Sequence, residues 1–525
     1  MILHVFGLNV ITINRKLIIF PFLFSIFPVI LLYSENVIEV KFSDFLFPLI
    51  LTFLISLISF VFLNFFLKNS LKTGFIVSLL TAAFFSYGHI FNILETNVFT
   101  DFNLIRHAFV LIPFGLFLIV GIYYTVKSKR NLNDFRSILN VISIVMILSI
   151  SPNIVTFYMD YEPEYNTSSN IIDNEHIPEF QLSQNQTFPN IYHIVLDEYT
   201  SSQILQNNFQ YDNSDFITNL KNLNFVIPSN PLSNYPATEH FLSSTLNIKY
   251  LEDSQMKKFE RLNIDNTIND NFVMQFLKEK DYKIIVPYSG YGPSDKFLAS
   301  DENICTEVTL LENNFLLELL RTTIINYLVE KQIENERRHI QSCTLSELPN
   351  IGKENTKPTY VFAHLFIPHA PYLFDKDGNS VSPSSNKLKG LEGWNNTDGY
   401  LNEIQFINKK IESISTEILT HSKNSIIIIQ GDTGSSILND PETDDFIKKR
   451  LSILFAIHLP NIDEDVFPDT TSSPNIYRVI FNNYFKTDYN LLPDRYFYDS
   501  NLVGLDNHTD YVIIEVTDRI NSLDN

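Results

Sequence analysis

Five long apolar stretches within the first 160 residues constrain this chain more than any other feature. They lie near residues 17–33, 45–67, 73–92, 104–124 and 137–157. Each approaches or exceeds the roughly 20 residues that a helix needs to cross a bilayer. In hydrocarbon the backbone must satisfy its own polar groups, so stretches of this kind fold as helices. The charges between them alternate. Arg15 and Lys16 precede the first stretch, Lys68 and Lys72 follow the second, and Lys127, Lys129, Arg130 and Arg136 follow the fourth. The other two loops carry Glu35, Glu39, Lys41 and Asp44, and Glu95 and Asp101. Basic loops stay in the cytoplasm. The sequence therefore predicts a multi-pass transmembrane domain over 1–157, with a cytoplasmic N-terminus and everything after about residue 158 outside.

The rest of the chain is of another kind. The chain's net charge is −21, and because residues 1–160 are slightly basic the acidity lies entirely after residue 160. An acidic surface argues against nucleic acid as a partner, because phosphate backbones need Lys and Arg. Residues 158–189 are polar and aperiodic and read as a linker. From residue 190 to 525 apolar runs alternate with amphipathic patterns. Strands are expected at 190–197, 224–229, 282–289, 359–366, 425–432, 451–459 and 511–516, and helices at 215–223, 270–280, 313–331 and 401–421. Strands apolar on both faces and separated by helices predict an α/β domain with a mostly parallel sheet flanked by helices. Cys305 and Cys343 both fall in this part. An oxidising compartment permits a disulfide there, and sequence leaves the pairing open. Glycosylation-type triplets begin at Asn166, Asn185, Asn395 and Asn507, which an Asn-rich chain produces by chance.

The segment "SIIIIQGDTGSSI", Ser425 to Ile437, carries the D-T-G-S-S of pepsin-like aspartic proteases. That reading fails. Such folds are all-β, whereas this segment lies among α/β units, and their chemistry needs two Asp carboxylates sharing one proton. The nearest second copy, "DTTSS" at 469–473, lacks the glycine.

In parallel α/β sheets ligands collect at the carboxyl ends of strands. Two expected strands end in aspartate, at Asp197 and Asp432. Either alone is an ordinary turn former; together they offer hard oxygen ligands for a divalent cation. "SNYPATEHFLSSTLNIKYL" (233–251) places Thr238 ahead of a helical pattern. A hydroxyl there serves as an N-cap or faces an anion bound at the helix N-terminus. A metal touching it would make it a nucleophile.

These segments, with "PNIYHIVLDEYTS", "YSGYGPS", "LLRTTI", "FAHLFIPHAPYLFDKDG", "QGDTG" and "SPNIYRVIFNNYF", resemble in order and number the alkaline phosphatase/sulfatase superfamily. More closely the chain is similar to the membrane-anchored sulfatase-like proteins related to lipoteichoic acid synthases and phosphoethanolamine transferases. The resemblance covers most of 190–500. It implies about five N-terminal spans and an extracellular sulfatase-like catalytic domain. It implies Asp197 as first metal ligand, Thr238 as the transiently esterified nucleophile that also touches the metal, and Asp432 as a later ligand. It implies His369 as a contact to the substrate's phosphate or sulfate.

The chain departs from the pattern at Thr433, where the family has a metal-ligating His. A threonine hydroxyl is a weak ligand, and a poor one for zinc. Three explanations compete: a harder cation with water in the vacant position, another histidine such as His240 or His369 filling it, or loss of the metal. The expected cofactor is one divalent ion (Mn, Mg, Zn or Ca). The expected activity is a membrane-anchored hydrolase or transferase acting on phosphate, phosphodiester or sulfate esters of envelope lipids or glycans. The membrane helices point to a lipid or lipid-linked substrate. The competing class is an inactive sulfatase-like protein that binds an anionic envelope glycan or lipid.

Overall fold

The computed structural model describes residues 17–37, 40–97, 106–160, 188–251, 261–308, 313–353, 355–381, 396–437, 443–462, 466–467, 472–499 and 513–522. Most of the expected linker and all four glycosylation-type asparagines lie outside these residues. The chain divides into two compact units, Met1–Pro163 with Asn313–Gln332, and Glu164–Glu312 with Ile333–Asn525.

The N-terminal part of the first unit holds, among the described residues, α1 (Phe20–Glu35), α2 (Phe42–Leu67), α3 (Ser70–Asn97), α4 (Arg106–Lys127) and α5 (Asn133–Asp160). Four of the five expected stretches form helices long and apolar enough to cross a membrane, and the first forms a shorter apolar helix of 16 residues. No side chain of its own caps the start of α1. Asn140 on α5 does so instead, its Oδ1 accepting from the amides of Ile19 and Phe20 at 3.2 and 3.1 Å, which satisfies donors that a helix start leaves open.

Residues 313–332 belong to this unit although they follow part of the α/β sequence. The expected single helix at 313–331 is two, Asn314–Arg321 and Asn326–Glu347. The reason lies in the backbone between them. Gly88 in α3 donates its N–H to the Thr322 carbonyl at 2.9 Å, and Ile324 donates to the Phe84 carbonyl at 3.0 Å. A Cβ at Gly88 would stand 2.4 Å from the Arg321 carbonyl oxygen, so the close approach requires glycine. Phe315 and Leu319 bury with Val29, Tyr33, Phe45 and Phe85.

The second unit is built on a seven-stranded sheet. Its strands are β1 (Asn190–Leu196), β2 (Phe225–Val226), β3 (Lys283–Pro287), β4 (Glu302–Ile304), β5 (Thr359–Leu365), β6 (Ser425–Gly431) and β7 (Phe455–His458). Their order is β2-β7-β6-β1-β5-β3-β4. The run from β6 to β4 is parallel, and β7 and β2 join antiparallel at one edge. The expected strand at 511–516 is β9 (Ile513–Glu515), which pairs with β8 (Phe497–Asp499) in a separate ribbon rather than in the main sheet. Edge strand β4 is three residues long, Glu302–Ile304, too short to show periodicity.

The central strands are buried on both faces, and alternate residues sort into two cores. Ile194, Leu196, Val361, Ala363, Ile427 and Ile429 face one. Ile191, Val195, Tyr360, Phe362, Ile426 and Ile428 face the other, with Phe241, Leu242 and Leu246 of the helix Thr238–Leu246. This is the period-2 alternation of a pleated strand. Cys305 and Cys343 form a disulfide.

Candidate metal centre

The carboxyl ends of β6, β1 and β5 lie side by side. Leu196 pairs with both Leu365 and Gly431, so the next residue along two neighbouring strands is an aspartate: Asp197 and Asp432. The Asp197 amide continues the ladder by donating to the Leu365 carbonyl at 2.9 Å. Continuing the alternation by one position puts both aspartates on the face of Val195 and Ile428. His364, opposite Val195 in β5, belongs to the same face. Ligand atoms of Asp197, His364 and Asp432 all lie within 4.8 Å of one another, and all three residues are buried. This is the one such group among the described residues.

Thr238 joins it from across the core. Ala237, in extended conformation, is the N-cap of Thr238–Leu246, so Thr238 is the first helical residue. Its hydroxyl makes no cap. It donates to Asp432 Oδ2 at 2.5 Å. Asp432 is fully buried, and its Oδ1 also accepts from the amides of Glu198 at 3.0 Å and Thr433 at 2.7 Å.

Asp197 lacks comparable support. Burial first, then the neighbouring charges of Asp432 and Glu198, push its carboxyl well above the usual range. Its Oδ2 lies 3.9 Å from His364 Nε2, which has no hydrogen-bond partner. Burial lowers His364 to about 4, so a neutral imidazole faces the carboxylates. A cluster of two buried carboxylates and a neutral imidazole, their ligand atoms within 4.8 Å of one another, fits a divalent ion.

Beside this group runs a second, charge-balanced one. Glu198 adopts a left-handed backbone, φ 60°, a conformation that non-glycine residues take at a cost. Its Oε1 lies 3.2 Å from Arg450 Nη1 and 4.0 Å from His369 Nε2, and its Oε2 accepts from the Ser436 hydroxyl at 2.9 Å. Burial works to raise this carboxyl, but Arg450, His369 and Ser436 outweigh it and leave it below its ordinary value. Arg450 also donates to the carbonyls of Gly434 and Pro236. One guanidinium thus ties the loops that follow Asp197 and Asp432 to the turn that precedes Thr238.

The sequence-derived residues therefore separate. Asp197, Asp432 and Thr238 come together. Thr433 gives its amide to Asp432, while its own hydroxyl is buried without a hydrogen-bond partner. His369 joins the Glu198 group, and His240 stacks on Tyr235 at 6.1 Å between centroids; neither belongs to the three-residue donor cluster. Gly434 has a steric reason: a Cβ there would stand 2.5–2.8 Å from the carbonyl oxygens of Lys449, Ser452 and Arg450.

Sequence reasoning missed His364 and Arg450. His364 interrupts an otherwise apolar strand at its carboxyl end, and that position was its signal.

No protein-family profile matches the chain. No curated protein matches it either. Among solved structures it is similar to the C-terminal periplasmic domain of EcEptC from Escherichia coli, with 12% identity and a TM-score of 0.41, covering 65% of this chain and 95% of that one. It is similar to the integral membrane protein lipooligosaccharide phosphoethanolamine transferase A from Neisseria meningitidis, with 12% identity and a TM-score of 0.39, covering 89% and 95%. A protein in the alkaline phosphatase superfamily from Vibrio parahaemolyticus matches with 10% identity and a TM-score of 0.35, over 60% and 73%.

Proposed function

We propose that the chain is a membrane-anchored, metal-dependent enzyme that transfers or hydrolyses a phosphate, phosphodiester or sulfate ester of an envelope lipid or glycan, with Thr238 as nucleophile. One observation carries this reading: the Thr238 hydroxyl, excluded from capping its own helix, donates to Asp432 Oδ2 beside Asp197. Asp197 and Asp432 would hold the cation. Bound there, a divalent cation would lower the pKa of a neighbouring hydroxyl and neutralise charge on the transferred group.

The chain's own groups do the rest. Asp432 Oδ2 receives the Thr238 proton as Oγ1 attacks phosphorus or sulfur in line. The bond to the leaving oxygen breaks, and the group remains on Thr238 as an ester. Water or an acceptor alcohol then attacks the ester and restores the hydroxyl. His369, part-exposed and beside Glu198, is placed to meet an oxygen of the anion. Thr238 is itself only part-buried, as a group that must reach substrate has to be. In this reading the catalytic unit lies outside the membrane, in accord with the charged loops between the apolar helices.

The competing reading, a binding protein without turnover, draws on the buried and unengaged Thr433 hydroxyl. A direct test separates the two. The full-length protein in detergent is incubated with aryl phosphate, phosphodiester and sulfate esters and with Mn²⁺ or Zn²⁺, then digested for peptide mass spectrometry. A phospho- or sulfo-adduct on Thr238, with release of the aryl alcohol, is expected. Metal binding with neither adduct nor release for any ester would leave the binding protein.

A further inference from the structure

We propose that His364, reaching in from β5, supplies the nitrogen ligand that the resemblance would have placed at 433, and that the site therefore takes zinc or manganese in preference to magnesium or calcium. This rests on the reading of Asp197 and Asp432 as metal ligands. It replaces the three open explanations for Thr433 with one.

The geometry of the imidazole makes the argument. His364 Nδ1 lies 3.2 Å from Ser294 Oγ. The Ser294 hydroxyl has acceptors in the Tyr291 carbonyl at 3.1 Å and Ser289 Oγ at 2.8 Å. With its proton on one of them, Ser294 Oγ offers a lone pair to His364 Nδ1–H, and in that tautomer Nε2 carries a bare lone pair.

That lone pair faces Asp197 Oδ2 at 3.9 Å, both atoms are buried, and no hydrogen-bond partner reaches Nε2. Two electron-rich atoms so placed need something positive between them. A proton held by both would draw them to about 2.8 Å. One ion with ligands about 2.0–2.2 Å away holds them about 3.4 Å apart at a tetrahedral angle and up to about 4 Å at a wider one, so a single ion can reach both atoms at 3.9 Å. A set of two carboxylates, one imidazole and one hydroxyl suits zinc and manganese, while magnesium and calcium favour oxygen alone.

The support for His364 is itself built in. Ser289 donates its hydroxyl to Asp295 Oδ1 at 2.8 Å, and the amides of Ser289 and Gly290 donate to the same carboxylate at 2.6 and 3.0 Å. This closes the "YSGYGPS" turn around Ser294. The turn is otherwise far in sequence from any residue of the site, and positioning His364 gives it a role.

The test uses the full chain in detergent, stripped of metal and titrated with Zn²⁺, Mn²⁺ and Mg²⁺ against a chelator of known affinity. Variants are Asp197→Asn, His364→Ala, His364→Asn and Ser294→Ala, each checked for folding by its thermal transition. The wild type is expected to bind Zn²⁺ or Mn²⁺ near one equivalent and at least 100-fold more tightly than Mg²⁺. Both His364 variants should lose about 100-fold or more in Zn²⁺ affinity while Mg²⁺ affinity changes little. Ser294→Ala should lose about 10-fold, the usual effect of removing a group that orients a ligand. If His364→Ala and His364→Asn fold and hold Zn²⁺ as the wild type does, while Asp197→Asn does not, His364 is no ligand and the proposed function stands. If the wild type binds none of the three ions, the metal reading falls and this inference with it.

Discussion

Asp197 and Glu198 are adjacent in sequence, equally buried, and opposite in circumstance. Asp197 faces Asp432 and His364 Nε2, and its charge is opposed by burial and by the charges of Asp432 and Glu198, which the Arg450 charge does not offset. Glu198 faces Arg450, His369 and Ser436, and its charge is matched. The left-handed backbone at Glu198 turns the chain at the strand end and sends the two side chains to different surroundings. The difference separates the half of the strand mouth whose charge the protein's own groups match from the half whose donors fit a cation. A buried carboxylate with an arginine belongs to the scaffold; two buried carboxylates facing a neutral histidine belong to a ligand.

The largest effect should come from the cation side and should leave the fold alone. Thr238→Ala removes the proposed nucleophile, and turnover of any ester the wild type accepts should fall about 10³-fold or more. The thermal transition should stay within a few degrees, because the hydroxyl caps nothing. A variant that retained turnover would show that water, not Thr238, attacks.

On the matched side the effect should appear in stability. Arg450→Met leaves Glu198 charged, buried and unpaired and removes the tie to Gly434 and Pro236. A loss of about 3–5 kcal/mol is expected, read as a drop in the melting temperature of the solubilised protein. Adding Glu198→Gln should return part of it, since the orphan charge is then gone. Equal melting temperatures for single and double variants would deny that the two groups form a unit. Next comes Gly434→Ala, whose Cβ would press on three backbone carbonyls that cannot turn aside. A loss of about 1–3 kcal/mol is expected, with weaker metal binding as the Asp432 loop is pushed off position.

Much of this arrangement is legible in the sequence, and the exceptions have physical causes. The apolar stretches, the strand runs and the two strand-end aspartates are local patterns, and the parallel register then makes Asp197 and Asp432 neighbours. The break at Thr322–Ile325 is not local, because it depends on backbone bonds to α3 some 235 residues earlier. His364 is harder still. β1 carries its own histidine, His193, which bonds Tyr477 and Gln430 in the core at 2.8 and 2.7 Å. One strand histidine is a core residue and the other a candidate ligand, and the apolar residues flanking each do not distinguish them. Position along the strand does: His364 stands at the carboxyl end, His193 near the middle. Arg450 ends a Lys-Lys-Arg run that reads as a solvated helix face, yet it is the residue that turns inward.

The smallest effect is also the sharpest test of the comparison, because its sign reverses between adjacent residues. In protein stripped of metal, Asp197→Asn should raise stability at neutral pH by about 1–2 kcal/mol, since it removes an unmatched buried charge. Glu198→Gln should lower it by a similar amount, since it removes a matched one. The pH dependence follows from the two directions. Glu198 titrates lower in the folded chain than in the unfolded one, so its contribution is full above about pH 4.3 and is lost as pH falls through the folded value. Asp197 titrates higher when folded. The unfolded chain releases that proton first, so a stability loss begins near pH 3.9 and grows as pH rises toward the folded value. Melting temperatures of the chelated protein between pH 3.5 and 8 should therefore show Asp197→Asn gaining on the wild type as pH rises. Glu198→Gln should trail it most at the upper end and converge with it in acid. Loading with metal should abolish the first difference and leave the second, because a cation answers Asp197 and Arg450 already answers Glu198. Curves that moved together for the two variants, or that metal shifted equally, would mean that the strand mouth is electrostatically one region and not two.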